Sequence, residues 1–132
     1  MARLGELVDA TLHPAIVAED SNGVLGVLTY VVDGDRCEVL TLHASERRRG
    51  VGTALLQEVE RVGAEAGCRR LWLITTKDNV DALRFYQRRG FRIVALHQGA
   101  VDRSRETLKP GIPEVGEYGI PLRDEIELEK DV

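Results

Sequence analysis

The chain has 132 residues, 43% hydrophobic and 30% charged, with 13 Gly and 4 Pro. That composition fits one globular domain over residues 1–132 and excludes disordered, collagen-like and coiled-coil chains. A formal charge of -4 argues against a partner held by phosphate neutralisation, so nucleic acid is not expected.

No apolar run approaches the ~20 residues of a bilayer span, so no membrane partner is expected. Met1 to Ala10 lacks the apolar core and small-residue cleavage site of a signal peptide, which makes the expected address cytoplasmic. Cys37 and Cys68 are isolated. They offer neither a disulfide framework nor a Cys-x-x-Cys site and are expected as small core thiols. His13, His43 and His97 show no metal-ligand spacing, so no metal is expected.

Leu4 to Ala10 has room for a turn or two of helix at most. Ala15 to Glu19, Val24 to Val32 and Arg36 to Leu42 are β-rich runs separated by Asp20-Ser-Asn-Gly23 and Asp33-Gly-Asp35. Gly and Asn accept the positive φ of tight turns, so three antiparallel strands in a meander are expected. From Gly50 the period changes: Val51, Leu55, Val59, Val62 and Ala66 recur at three and four, an amphipathic helix stopped at Gly67. Arg70 to Thr76 reads as a buried strand, Asp81 to Arg89 as a second helix ended by Gly90, and Phe91 to Leu96 as another strand. This alternation implies helix crossovers between neighbouring parallel strands. Ala100 to Leu108 reads as a short helix and Lys109 to Gly116 as a Pro/Gly loop. Asp124 to Glu129 alternates as a half-buried strand does, with Glu125, Glu127 and Glu129 on one face. Such a face is either simply solvated or attractive to a cationic amine. The expected fold is thus mixed α/β: a meander, then strand-helix-strand-helix-strand and a C-terminal strand.

The most informative stretch is Leu42-His-Ala-Ser-Glu-Arg47-Arg-Arg-Gly50-Val-Gly52-Thr, which leaves a strand and enters a helix through two glycines. Unpaired N–H groups and the macrodipole make a helix N-terminus a place for phosphate, and glycines let the backbone approach it. Neither the dinucleotide fingerprint nor Gly-Lys-Ser/Thr of a P-loop is present. Arg47-x-x-Gly50-x-Gly52 instead resembles the pyrophosphate signature of the GNAT superfamily of acetyl-CoA-dependent N-acetyltransferases. Asn79-x-x-Ala82-Leu-Arg-Phe-Tyr86-Gln-Arg-Arg-Gly90-Phe91 is similar to that family's second signature, and the separation from Gly52 accommodates one helix and one strand. The resemblance covers roughly Ala15 to Leu96.

The resemblance implies acetyl transfer from a CoA thioester to an amine of a small molecule or protein, without an acyl-enzyme. It places the pyrophosphate on the backbone of Arg48, Arg49, Gly50, Val51, Gly52 and Thr53, with Arg47 and Arg49 adding charge. The alternative for the arginines is a solvated basic turn. It lays the pantetheine arm along the strand through Leu40 and Leu42, with a main-chain N–H near Leu42 on the thioester carbonyl. Asn79 and Ala82 would contact the cofactor. Tyr86 would protonate the leaving thiolate, the alternative being a core Tyr that only packs. Glu38 is the candidate base, although a shift of one residue on its strand would turn it to the other face.

Relatives of this kind carry a strand and one or two helices ahead of the meander, which usually wall the acceptor site. Here residues 98–123 form a longer connection than usual, so that segment, or a neighbouring subunit in a homodimer, is expected to supply the wall. The competing reading is a non-catalytic acyl-CoA-binding or regulatory module of the same fold.

Overall fold

The computed structural model describes residues 1–46 and 49–132. The expectations that the Arg48 backbone holds a pyrophosphate and that Arg47 adds charge fall on residues outside those described. In chain order the elements are β1 (Ala2–Arg3), β2 (Glu6–Leu7), a 3-10 turn (Ala10–Leu12), β3 (Ala15–Asp20), β4 (Gly23–Asp33) and β5 (Arg36–Ala44). There follow α1 (Val51–Glu65), β6 (Arg70–Thr76), α2 (Val80–Arg88), β7 (Arg92–His97), α3 (Ala100–Thr107), a second 3-10 turn (Glu117–Gly119) and β8 (Glu125–Asp131). The order is the mixed α/β one that the hydrophobic periods imply. No helix among the described residues is long and apolar enough to cross a membrane. The chain packs as two compact units: Ala10–Trp72 with Asp131–Val132, and Met1–Asp9 with Leu73–Lys130.

In the first unit β3, β4 and β5 form the antiparallel meander, with β6 next to β5 where it begins. Helix α1 lies on the meander and buries Val51, Leu55, Leu56, Val59 and Gly63. The stripe therefore passes through Gly63 rather than the expected Val62 and Ala66. A Cβ at Gly63 would meet the Cβ atoms of Cys37 and Cys68 at 3.5 and 3.8 Å, ordinary van der Waals contact, so the helix packs closely on both cysteines there. Both cysteines are free and buried, and burial pushes the Cys37 thiol up to about 11. Each fully buried Leu or Val on this stripe stabilises the unit by about 1.5–3 kcal/mol relative to an exposed one.

One irregularity decides the faces of β5. Thr29 is opposite Thr41 and Tyr30 is opposite Val39, so Leu40 is an extra residue in the ladder, a β-bulge. The bulge reverses the alternation: Glu38, opposite Val31, shares a face with Thr29 and Thr41, while Leu42 pairs with Leu28 on the other face. The hydroxyls of Thr29 and Thr41 lie 2.6 Å apart and bond across the strands.

In the second unit the strand order is β6-β8-β7, with β7 and β8 antiparallel. The expectation that β6 and β7 are parallel neighbours is corrected: the C-terminal strand lies between them. The Lys77 N–H donates to the Asp124 carbonyl at 3.1 Å, which starts β8 beside the end of β6. Ile126 and Leu128 of β8 are then buried. The N-terminus is also corrected, from a turn of helix to the hairpin β1–β2. Leu4 and Gly5 both take positive φ, 50° and 75°, and close a two-residue turn.

Candidate active site

In the first unit, the turn from β5 into α1 carries the glycine motif. Gly50 caps α1 at φ 82°, a left-handed conformation that side chains resist, and a Cβ there would meet nothing within 4 Å. Among the described residues no side chain caps this helix, and its first turn holds no acidic residue. The positive end of the α1 dipole is thus not opposed by a carboxylate of its own first turn, and exposed Arg49 stands beside it. Val51 is buried, whereas Gly52 and Thr53 are partly exposed at the helix start. An anion with several oxygens is what such a helix end accommodates.

The strand ahead of the turn carries Glu38, Leu40 and Leu42 in the same unit. Leu40 is the bulged position and is buried, at 7% exposure, and Leu42 is two residues on. An extra residue in a bulge is left out of the regular ladder, so main-chain groups at Leu40 are released from β4 pairing. Glu38 is 3% exposed, a buried carboxyl on the face of Thr29 and Thr41.

Asn79, Ala82 and Tyr86 lie in the second unit. Asn79 is the N-cap of α2, its side-chain oxygen accepting from the Ala82 N–H at 3.2 Å. The amide NH2 of Asn79 and the small side chain of Ala82 are what these two positions can offer a ligand. Tyr86 is the buried residue of α2, held edge-on between Phe85 and Phe91 with ring centroids 5.3 and 5.4 Å away. Burial pushes its hydroxyl up to about 12, so the group keeps its proton throughout the neutral range and suits an acid. Phe91 follows Gly90, whose φ of 94° ends the helix and returns Phe91 to the Tyr86 ring. That explains the Tyr-x-x-x-Gly-Phe spacing physically.

The C-terminal acidic strand departs from either sequence expectation. Glu125 is only 3% exposed and accepts the Leu4 N–H at 2.9 Å, while Glu127 meets His97 at 3.1 Å and Glu129 meets Arg92 at 3.5 Å. Burial raises the Glu125 carboxyl above its ordinary value, against the opposing Leu4 N–H, His97, Arg3 and Arg103. The face is structural, clamping the N-terminal hairpin and β7. His97 thus has an acidic partner in Glu127.

Sequence reasoning passed over Asp78. It is 5% exposed, its Oδ2 accepts the Glu117 N–H at 2.9 Å, and its Oδ1 has no partner. The only sequence signal is its place directly before the Asn79 cap.

Residues 3–91 match the model of the acetyltransferase (GNAT) family. The uncharacterized protein YdhI of Bacillus subtilis is 49% identical over 107 residues, covering 81% of this chain and 66% of YdhI. The chain therefore spans about two thirds of that relative's length. Among solved structures, an IAA acetyltransferase from Bacillus cereus superposes with a TM-score of 0.76 at 26% identity, covering 89% of this chain and 77% of that one. A GNAT family acetyltransferase from Elizabethkingia anophelis, solved with acetyl-CoA bound, gives a TM-score of 0.76 at 24% identity, with coverage of 92% and 78%.

Proposed function

The chain belongs to the GNAT family of acetyltransferases, and from that membership we propose that it transfers an acetyl group from acetyl-CoA to an amine of a small molecule or protein. The observation that carries this reading is the start of α1: a left-handed Gly50 with open space around it and, among the described residues, no capping side chain and no acid in the first turn. Those features suit a pyrophosphate, and the similar Elizabethkingia anophelis protein carries acetyl-CoA. In this reading the backbone amides of Arg48, Arg49, Gly50, Val51, Gly52 and Thr53 hold the phosphates, with Arg47 and Arg49 adding charge. Main-chain groups at Leu40 and Leu42 line the pantetheine arm, and the N–H near Leu42 polarises the thioester carbonyl.

In the reaction the amine nitrogen bonds to the carbonyl carbon and the carbon–sulfur bond breaks. Tyr86 gives its hydroxyl proton to the sulfur, and Glu38 receives the proton lost by the amine. Two free thiols suit a reducing compartment, and a cytoplasmic location is part of this reading. The test is release of CoA thiol by the purified chain. Release that requires an amine supports acetyl transfer. Bound acetyl-CoA without amine-dependent release from any of a broad amine panel identifies instead a non-catalytic acyl-CoA-binding module.

A further inference from the structure

A cavity of about 410 Å³ lies within the second unit, lined among others by Lys77, Asp102, Ile120, Pro121, Arg123 and Asp124. Its size is that of a small-molecule site. Much of its wall comes from residues 98–123, the connection that is long for this fold.

The wall is built, not incidental. Arg105 donates to the carbonyls of Ile112, Pro113 and Leu122 at 2.8–2.9 Å and pairs with Asp102 at 2.9 Å. The Gly116 N–H bonds to the Ile120 carbonyl at 2.8 Å, and Val115 bridges to Pro121. The Glu117 N–H is anchored on Asp78, and the Tyr118 hydroxyl donates to Asp81 at 2.6 Å, although Tyr118 sits at φ 57°. These bonds hold the strained turn that leads into the lining residues Ile120 and Pro121, a mark of pre-organisation.

The charges of the cavity are unequal in what they leave available. Asp124 is engaged twice, by the Gly99 N–H at 2.7 Å and by Lys77 at 3.5 Å, and Asp102 is matched by Arg105. Among the described residues Arg123 makes no ion pair, and the Lys77 side chain is 56% exposed with only a long contact to Asp124. The surplus is cationic, beside an apolar edge of Ile120 and Pro121.

Resting on the acetyl-transfer reading, we propose that this cavity takes the acceptor, and that the acceptor is a small amine bearing a carboxylate, anchored by Arg123 with help from Lys77. A guanidinium matches a carboxylate with two parallel hydrogen bonds, which fixes orientation as well as charge. The amine at the other end of the molecule is then left to react.

The probes are free amino acids and their carboxamides, which share an amine and differ in the anion. Turnover should favour the acids. Arg123→Ala should raise the acceptor KM roughly 10- to 100-fold for the acids, the loss of one charge-assisted contact, with the KM for acetyl-CoA unchanged. Arg123→Lys should recover part of the loss. Equal turnover of acids and carboxamides overturns the proposal, as does an acceptor KM that ignores Arg123→Ala. A raised KM for acetyl-CoA instead overturns it too, because the cavity would then hold a cofactor phosphate. Calorimetric binding of the same acids needs no turnover. Arg123-dependent binding without acetyl transfer refutes the acetyl-transfer reading alone, and no binding of any of these acids refutes the cavity assignment.

Discussion

Replacing Tyr86 by Phe removes one oxygen from a ring packed between Phe85 and Phe91, at a position only 8% exposed. In the unfolded chain the hydroxyl titrates near 10, and in the fold burial moves it to about 12. Between those two pH values the unfolded state releases the proton and the native state does not. Native stability is therefore unaffected by this group below pH 10 and declines as pH rises toward 12. At about 1.4 kcal/mol per pH unit, a displacement of two units costs about 2.7 kcal/mol by pH 12. Other groups titrate there as well, so the quantity to measure is the difference between wild type and Tyr86→Phe. Urea unfolding followed by the fluorescence of Trp72, the one Trp, gives it across pH 7–12. The difference should be constant to pH 10 and then shift by about 2–3 kcal/mol in favour of the variant. In turnover the variant should lose roughly 100-fold or more in kcat while keeping its affinity for acetyl-CoA, as loss of a general acid does. A stability difference flat to pH 12, or an unchanged kcat, would refute the reasoning that a desolvated, protonated Tyr86 donates to sulfur.

Two further substitutions test the packing that positions the site. A Cβ at Gly26 would lie 2.8 Å from Val51 Cγ1, 2.9 Å from the His43 carbonyl oxygen and 3.0 Å from Leu55 Cδ1. Because one of these atoms is backbone, Gly26→Ala should cost about 1–3 kcal/mol, read as a lower urea midpoint with an unchanged slope; an unchanged midpoint contradicts the close approach of α1 to β4. At Gly116 a Cβ would fall 2.1 Å from Asp78 Oδ2, a side chain too buried to swing away. Gly116→Ala should destabilise by about 1–3 kcal/mol in the wild type and by clearly less in an Asp78→Ala background, a coupling that a double-mutant cycle reads directly.

The local elements were legible because their signals are local. The αL glycines at 50, 67 and 90 bracket the two helices the motifs occupy, and Tyr86, Gly90 and Phe91 meet through the helix end their spacing implies. The bulge at Leu40 was not legible, since Glu38-Val-Leu-Thr-Leu42 is an unbroken β-rich run without Gly, and only pairing with β4 reveals the extra residue. Glu125 misled for a related reason: alternation tells which residues share a face but not what covers that face. The cover comes from Leu4, 121 residues away in the chain. The same nonlocality hid β8 between β6 and β7, and it hid the meeting of Asp78 with Gly116 and Glu117.

The claim on which the account turns is that the start of α1 holds the pyrophosphate of acetyl-CoA. Thermal unfolding of the intact chain with rising acetyl-CoA tests it most directly, because a ligand bound only by the native state adds about 2.7 kcal/mol at a hundredfold excess over its Kd. Gly52→Glu brings bulk and negative charge to that helix end, and Glu is a better helix former than Gly, so the fold should persist. The melting temperature should climb with acetyl-CoA in the wild type and stay fixed in Gly52→Glu. No shift at saturating acetyl-CoA, or an equal shift in the two proteins, would contradict it.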